Sequence, residues 1–344
     1  MFFLISAGLG YPTLNRYDPR QALPDAAIYA KMAIEGPSAV STHLRFRVLV
    51  PYLACMVFEL ARNHTGSWEP MMFSFLVVNA GLVATTAYLL FRMGLAIAQQ
   101  VSIALLAAGL YLLNFAVANL HLAALVDSAE AFFLMALVGS MFYRRWFLLP
   151  MWGLIGTVAK ESFLPFSVAI MIAWCIRSGK RDWRIAVWIA ITTVVELATL
   201  VILQSSVSGH MVSPWSFLFS MSSPTGHMAN LWNSLIDRNS WYVLIWLLPL
   251  GIAGWKRMPH DWTAATEVGI ALAILLNAYH STVGGGGGGL GRYVFNISGP
   301  LLSLSAAIFL AEWRGENRAE NLKPAGGSQR ALWGGSANEA CDKT

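Results

Sequence analysis

The chain has 344 residues, of which 56% are apolar and only 12% charged, with a mean hydropathy of +0.56. A soluble globular chain carries about 25% charged residues, so this one has too little polar surface to cover a water-exposed exterior, and part of its solvent is expected to be lipid. That excludes a disordered chain, a collagen-like one and a disulfide-stapled miniprotein. Cys55, Cys175 and Cys341 show neither a pairing pattern nor metal spacing, and the net charge of +5 contains no block of like charge long enough for nucleic acid.

In chain order, Met1–Gly10 is apolar but brief. It reads as a shortened first span or as the end of a signal-like segment, and the absence of Lys or Arg ahead of it disfavours a signal peptide. Residues 11–70 form a long loop with Arg16, Asp18, Arg20, Asp25, Lys31, Glu35, Arg45 and Arg47. A mere connection needs only a few residues, so a loop of this length is expected to be functional. Pro24-Asp25 ahead of AAIYAKMA predicts a short helix beginning near Asp25. A carboxylate there serves as an N-cap, as a site group, or as both. Residues 45–62 predict an amphipathic helix lying on the outer membrane surface, because the apolar run 48–58 is too short to cross.

Long stretches with little or no charge at 71–91, 97–118, 122–142, 184–206, 241–255, 262–280 and 293–312 are candidate spans; a span needs about 20 residues, and 241–255 is short. Residues 147–176 are apolar except for Lys160 and Glu161. Each half reaches only roughly 20 Å, and charges at mid-membrane are costly. Two short helices turning at Lys160–Glu161 are therefore favoured, with both charges at an aqueous surface. The expected fold is all-α: one polytopic transmembrane helical bundle over 1–312, of about 9–11 spans with interfacial helices on its outer face. Residues 313–344 form a polar tail expected to be disordered.

Orientation follows from Arg177, Lys180, Arg181 and Arg184, which place their loop in the cytoplasm. Alternation then brings Arg92, Arg144–Arg145, Lys256–Arg257 and the tail to the same side. The 11–70 loop, Lys160–Glu161, the 208–240 segment and the 281–292 loop with Arg292 fall outside. The run Gly284–Gly289 is expected to be very flexible, and Trp215, Phe217, Phe219 and Trp232 suit headgroup depth. Asp127 and Glu130 lie near the outer end of one span, and Glu196 sits mid-span, expected to face the interior and find a partner. His121 lies six residues before Asp127, which does not match the three- or four-residue spacing of helical ligands, so no metal site is expected. Asn63-His64-Thr65 fits the glycosylation pattern.

An early outer loop with Asp25, then Tyr29, Met32, Ala33 and Gly36, then Arg47, Leu49 and Pro51, resembles the membrane glycosyltransferases of the GT-C type. These are relatives of protein mannosyltransferases and of bacterial enzymes that use polyprenyl-phosphate sugars. AKES (Ala159–Ser162) resembles the Lys-containing turn after two short helices in that class. GRYVFNISGPLL (Gly291–Leu302) resembles its late basic residue before a membrane-entering helix. The family often pairs two acids in the first loop; here Asp18 stands seven residues before Asp25.

The resemblance implies a transferase at the outer face of a bacterial plasma membrane. The donor would be a polyprenyl-phosphate-linked sugar, the acceptor a glycan, lipid or protein, and membrane lipids the surroundings. Asp25, with Asp18, would be the catalytic acids, Asp25 as general base on the acceptor hydroxyl. Lys160, Arg292 and Arg47 would hold the donor phosphate, supported by Tyr29, Glu161 and His280. No cofactor is implied, and the residues give no support to a divalent metal. Plainer roles compete: Lys160 and Glu161 pairing with each other, Arg292 as a headgroup anchor, and Arg45 and Arg47 on lipid heads. A transporter or flippase for a lipid-linked glycan or small solute stays open on Asp127, Glu196 and the broken 147–176 segment. So does an inactive, structural relative of the transferases. The concentration of polar residues in one outer loop favours the enzyme.

Overall fold

A computed structural model describes residues 1–15, 24–41, 43–178, 183–211, 227–237, 240–280 and 289–321. Among them every regular element is a helix. Asp18, Trp215, Phe217, Phe219, Lys180, Arg181, the glycines 284–288 and the tail beyond 321 lie outside the described residues, as does the side chain of His280.

Helix α1 (Phe2–Asn15) runs antiparallel to α4 (Pro70–Ala98), with Phe2 against Phe91 at 6.1 Å and Tyr11 against Trp68 at 5.1 Å between ring centroids. The bounds of α4 are written locally. The Glu69 side chain accepts the Met72 N–H, Pro70 takes the first turn, and Gln99 leaves the helix in the left-handed region at φ 52°. Between α1 and α4 lie α2 (Pro24–Glu35), the helix expected at Asp25, and α3 (Leu49–Ala61). α3 begins after Arg47 rather than before Arg45. It packs Val50, Pro51 and Ala54 into the protein beside α4, while Tyr52, Met56 and Leu60 stay exposed.

The expected spans 97–118 and 122–142 are both shorter than their hydropathy implies. They are α5 (Val101–Leu112) and α6 (Asp127–Phe142). Between them runs a stretch with one π turn at Val117–His121 and Ala124 at φ 58°, buried throughout from His121 to Val126. Uniformly apolar residues conceal this break. A buried non-helical backbone needs partners, and Asn79 of α4 supplies one: it donates to the Leu125 carbonyl (3.1 Å), while its own side-chain oxygen accepts from the Ser128 hydroxyl of α6 (2.7 Å).

Residues 147–176 form the expected hairpin, α7 (Leu149–Ala159) and α8 (Phe163–Arg177). Its turn, however, does not lie at an aqueous surface. Lys160 is 5% exposed and Glu161 3%, because other helices bring each a partner of opposite charge. α9 (Trp183–Ser208) follows, then α10 (His227–Ile236). The short stretch 241–255 breaks into α11 (Trp241–Leu244) and α12 (Leu247–Gly254). α13 (His260–His280) and α14 (Gly289–Asn321) complete the chain; α14 runs past the boundary expected at 312.

α14 is the axis of the bundle and touches α4, α5, α6, α11, α12 and α13. Small residues permit the closest approaches, as in helix pairs that pack without water. A β-carbon at Gly254 of α12 would run into the Ser305 carbonyl of α14, and one at Gly153 of α7 would meet Thr192 and Glu196 of α9. Among the described residues three helices are long and apolar enough to cross a membrane: Pro70–Ala98, Trp183–Ser208 and Leu290–Arg314.

Candidate functional site: a buried ion network at one end of the bundle

The up-and-down course of the chain gathers charges at two ends. At one, Met141, Arg144, Trp174, Ser178, Ile185 and Asp261 line a cavity of about 300 Å³, and Arg257 pairs with Glu312. Arg292 is twenty residues before Glu312 on α14, roughly 30 Å away at 1.5 Å per residue. It belongs to the opposite end, where the α2–α3 connection, the first turns of α6 and α14 and the α7–α8 turn meet.

α6 opens with Asp127 and Glu130, three residues apart and so on one helical face. Lys160 stands across from both, its Nζ 3.0 Å from Asp127 Oδ1 and 2.5 Å from Glu130 Oε2. Ser162 also donates to Glu130. From α14, Arg292 reaches Asp127 Oδ2 at 2.6 Å, and Asn296, one turn later, donates to Asp127 Oδ1 at 2.6 Å. Asp127 is fully buried and holds three donors from two distant stretches. Lys160 and Glu161 do not pair with each other. Glu161 turns the other way and takes Arg47, whose Nε lies 2.8 and 3.0 Å from its two oxygens and whose Nη2 completes the fork. The remaining nitrogen, Nη1, donates to the Tyr29 hydroxyl of α2 at 3.1 Å.

Burial pushes the Glu161 carboxyl up, but the Arg47 guanidinium and its hydrogen bonds outweigh this and hold it below its ordinary value of 4.5. The same pair holds Arg47 well above its ordinary range against the pull of burial. Burial raises the Tyr29 phenol, and Arg47 opposes that rise. Three cations and three carboxylates make the cluster neutral in sum, the condition under which buried charge is tolerated.

A neutral chain continues from Asp127. Because Asn296 gives its amide hydrogen to that carboxylate, its Oδ1 faces His121 Nε2, at 2.9 Å. Nε2 must therefore carry the ring proton, and Nδ1 accepts from Tyr111 at 3.3 Å. Tyr111 stacks on Phe295, with 5.8 Å between centroids.

The residues singled out from sequence thus divide. Lys160, Arg292, Arg47, Glu161 and Tyr29 come together. Asp25 lies half-buried in the first turn of α2 and makes no ion pair or side-chain hydrogen bond among the described residues. It is one turn before Tyr29 on the same face, about 6 Å between β-carbons. Arg45 binds Ser208 at 3.1 Å and stacks on Phe46. Glu196 does face the interior, but both carboxyl oxygens lack a hydrogen-bond partner among the described residues. Nearby Ser167 donates its hydroxyl to the Leu164 carbonyl. Among the described residues no group of three or more His, Cys, Asp or Glu is set to hold a metal. Tyr111 carries no sequence signal, and Ser162 and Asn296 stand inside the quoted stretches AKES and GRYVFNISGPLL without being singled out there. The only hint of their neighbours is the acid pair opening α6. No protein-family model matches the chain, and no curated protein matches it.

Proposed function

We propose that the chain is an integral-membrane glycosyltransferase of the GT-C type, set in a bacterial plasma membrane as a polytopic bundle of about 9–11 spans. Its ion network faces the exterior, and it transfers a sugar from a polyprenyl-phosphate donor to an acceptor hydroxyl. One observation carries this: Arg47, Lys160, Glu161 and Arg292, the residues that bear the family resemblance, converge from three distant stretches on one end of the bundle. That end is opposite the basic residues expected in the cytoplasm.

In this reaction Asp25 takes the acceptor proton, the acceptor oxygen attacks the anomeric carbon, and the bond to the phosphate oxygen breaks with its electron pair on the lipid phosphate. Arg292 and Lys160 oppose the charge that grows there. Arg47 has each of its nitrogens committed to Glu161 or Tyr29, and acts by fixing α2, and with it Asp25, over the site. A second reading, a transporter, has the buried unpaired Glu196 and the break between α5 and α6 in its favour.

The purified protein in proteoliposomes, given a panel of polyprenyl-phosphate hexoses and a hydroxyl acceptor, tests the proposal by release of polyprenyl phosphate. Wild type is expected to turn over, and Asp25→Asn to lose at least 100-fold in rate with its melting temperature unchanged. Equal rates remove Asp25 from the mechanism. Absence of turnover with every donor, together with donor uptake across the bilayer, favours the transporter.

A further inference from the structure

We propose that Asp127, locked by Asn296, is the positioning residue that sets Lys160 and Arg292 side by side as a seat for a lipid-borne phosphate; this rests on the transferase reading above. Lys160 and Arg292 come from chain segments 132 residues apart, and in the described structure they share one carboxylate, Lys160 on Oδ1 and Arg292 on Oδ2. A planar carboxylate held by both oxygens fixes where the two cations stand relative to each other. Asp127 is itself wholly buried, whereas Lys160 keeps 6% of its side chain exposed and Arg292 15%, so the carboxylate lies deeper than the two side chains it holds.

Nothing in this arrangement is free to rotate. Asn296 donates to the same Oδ1 as Lys160, and Asn296 is oriented by the His121 Nε2–H, which is oriented by Tyr111. The hydrogen bonds run in one direction, from Tyr111 through His121 and Asn296 to Asp127, and the chain ends on a charge. Such a chain has one low-energy arrangement of its protons, because reversing any member sets two donors or two acceptors face to face. It spans α5, the π turn, α14 and α6, so it ties the two cations to buried positions on three helices. A displacement of about 1 Å in such a group costs about 100-fold in rate, which is why a seat for a leaving phosphate gains from a rigid carboxylate under it.

The test exchanges acid and amide: Asp127→Asn with Asn296→Asp in one chain. Net charge is unchanged, and a carboxylate stays within reach of Arg292, now four residues along the same helix. Only its position moves. The purified swap variant is expected to stay folded, to bind farnesyl phosphate at least tenfold more weakly than wild type, and to lose about 100-fold in kcat with polyprenyl-phosphate hexoses. Asn296→Leu is the companion variant. It leaves every charge in place and cuts the neutral chain, and is expected to weaken farnesyl phosphate binding three- to tenfold.

Farnesyl phosphate bound as tightly by both folded variants as by wild type overturns the proposal, as does a wild-type protein that binds none. If the swap variant does not fold, Asn296→Leu alone decides. Wild type that binds farnesyl phosphate, with both variants weakened, but that turns over no donor, sinks the transferase reading and leaves the phosphate seat standing.

Discussion

Replacing Arg47 by Met strips the counter-charge from Glu161, a carboxylate whose side chain is 2% exposed. The loss has a ceiling, because Glu161 can take up a proton. Neutralising a carboxyl of ordinary value 4.5 at pH 7 costs about 3.4 kcal/mol at 1.36 kcal/mol per pH unit. Glu161→Gln has no such escape, since the guanidinium left behind does not release its proton. Arg47 is 11% exposed, so its unpaired charge is expected to cost toward the upper end of the 3–5 kcal/mol typical of a broken buried pair, about 5 kcal/mol. The double variant Arg47→Met/Glu161→Gln removes both charges and is expected to cost about 2 kcal/mol, far below the sum of the singles.

Equilibrium unfolding in mixed micelles of rising denaturing-detergent fraction gives all three values. A pH series then separates charge from packing. The Glu161 value is depressed in the folded protein, so its contribution is present above 4.5 and is lost only as pH falls through the lower folded value. The Arg47→Met deficit should therefore shrink from pH 7 toward pH 4.5 by about 1.4 kcal/mol per unit. Additive losses, or an Arg47→Met deficit that does not move with pH, would refute the reasoning.

Four further outcomes follow, three from packing and one from orientation. Gly254→Ala should destabilise by roughly 1–3 kcal/mol, because its methyl meets the Ser305 backbone. Gly8→Ala, with nothing within 4 Å, should stabilise by up to about 1 kcal/mol, and the same unfolding assay reads both. Glu196→Leu should leave stability unchanged or raise it by about 1 kcal/mol, since the carboxyl oxygens forgo no hydrogen bond; a loss above 2 kcal/mol would reveal a partner. A cysteine at Ser38, exposed in the turn after α2, should react in intact cells with a membrane-impermeant maleimide; protection until the cells are opened would invert the orientation.

The hairpin at Lys160–Glu161 was legible because it needs only length arithmetic: two halves too short to hold one pair of mid-span charges. The helix at Asp25 was legible from Pro24 and the small apolar residues behind it. The break between α5 and α6 was not, since Leu122–Val126 is as apolar as any helix and its cause, Asn79, lies 46 residues from Leu125. The site was half legible. Single residues such as Lys160, Arg47 and Arg292 carry a signal by being charged in an apolar chain. Their partners do not: Arg47 and Glu161 are 114 residues apart, and Arg292 and Asp127 165. Assigning the charges of the α7–α8 turn to water followed from treating that turn alone, whereas carboxylates and a guanidinium from other segments replace the solvent there.

The shortness of the helices around the network has its own consequence. α5, α6, α7 and α8 have 12, 16, 11 and 15 residues, or roughly 16–24 Å at 1.5 Å per residue. None of the four alone matches a hydrocarbon layer about 30 Å thick, whereas α4, α9 and α14 are long enough to cross one. The ion network is thus carried by the short helices and framed by the long ones, and in the proposed membrane setting the layer must thin to meet it.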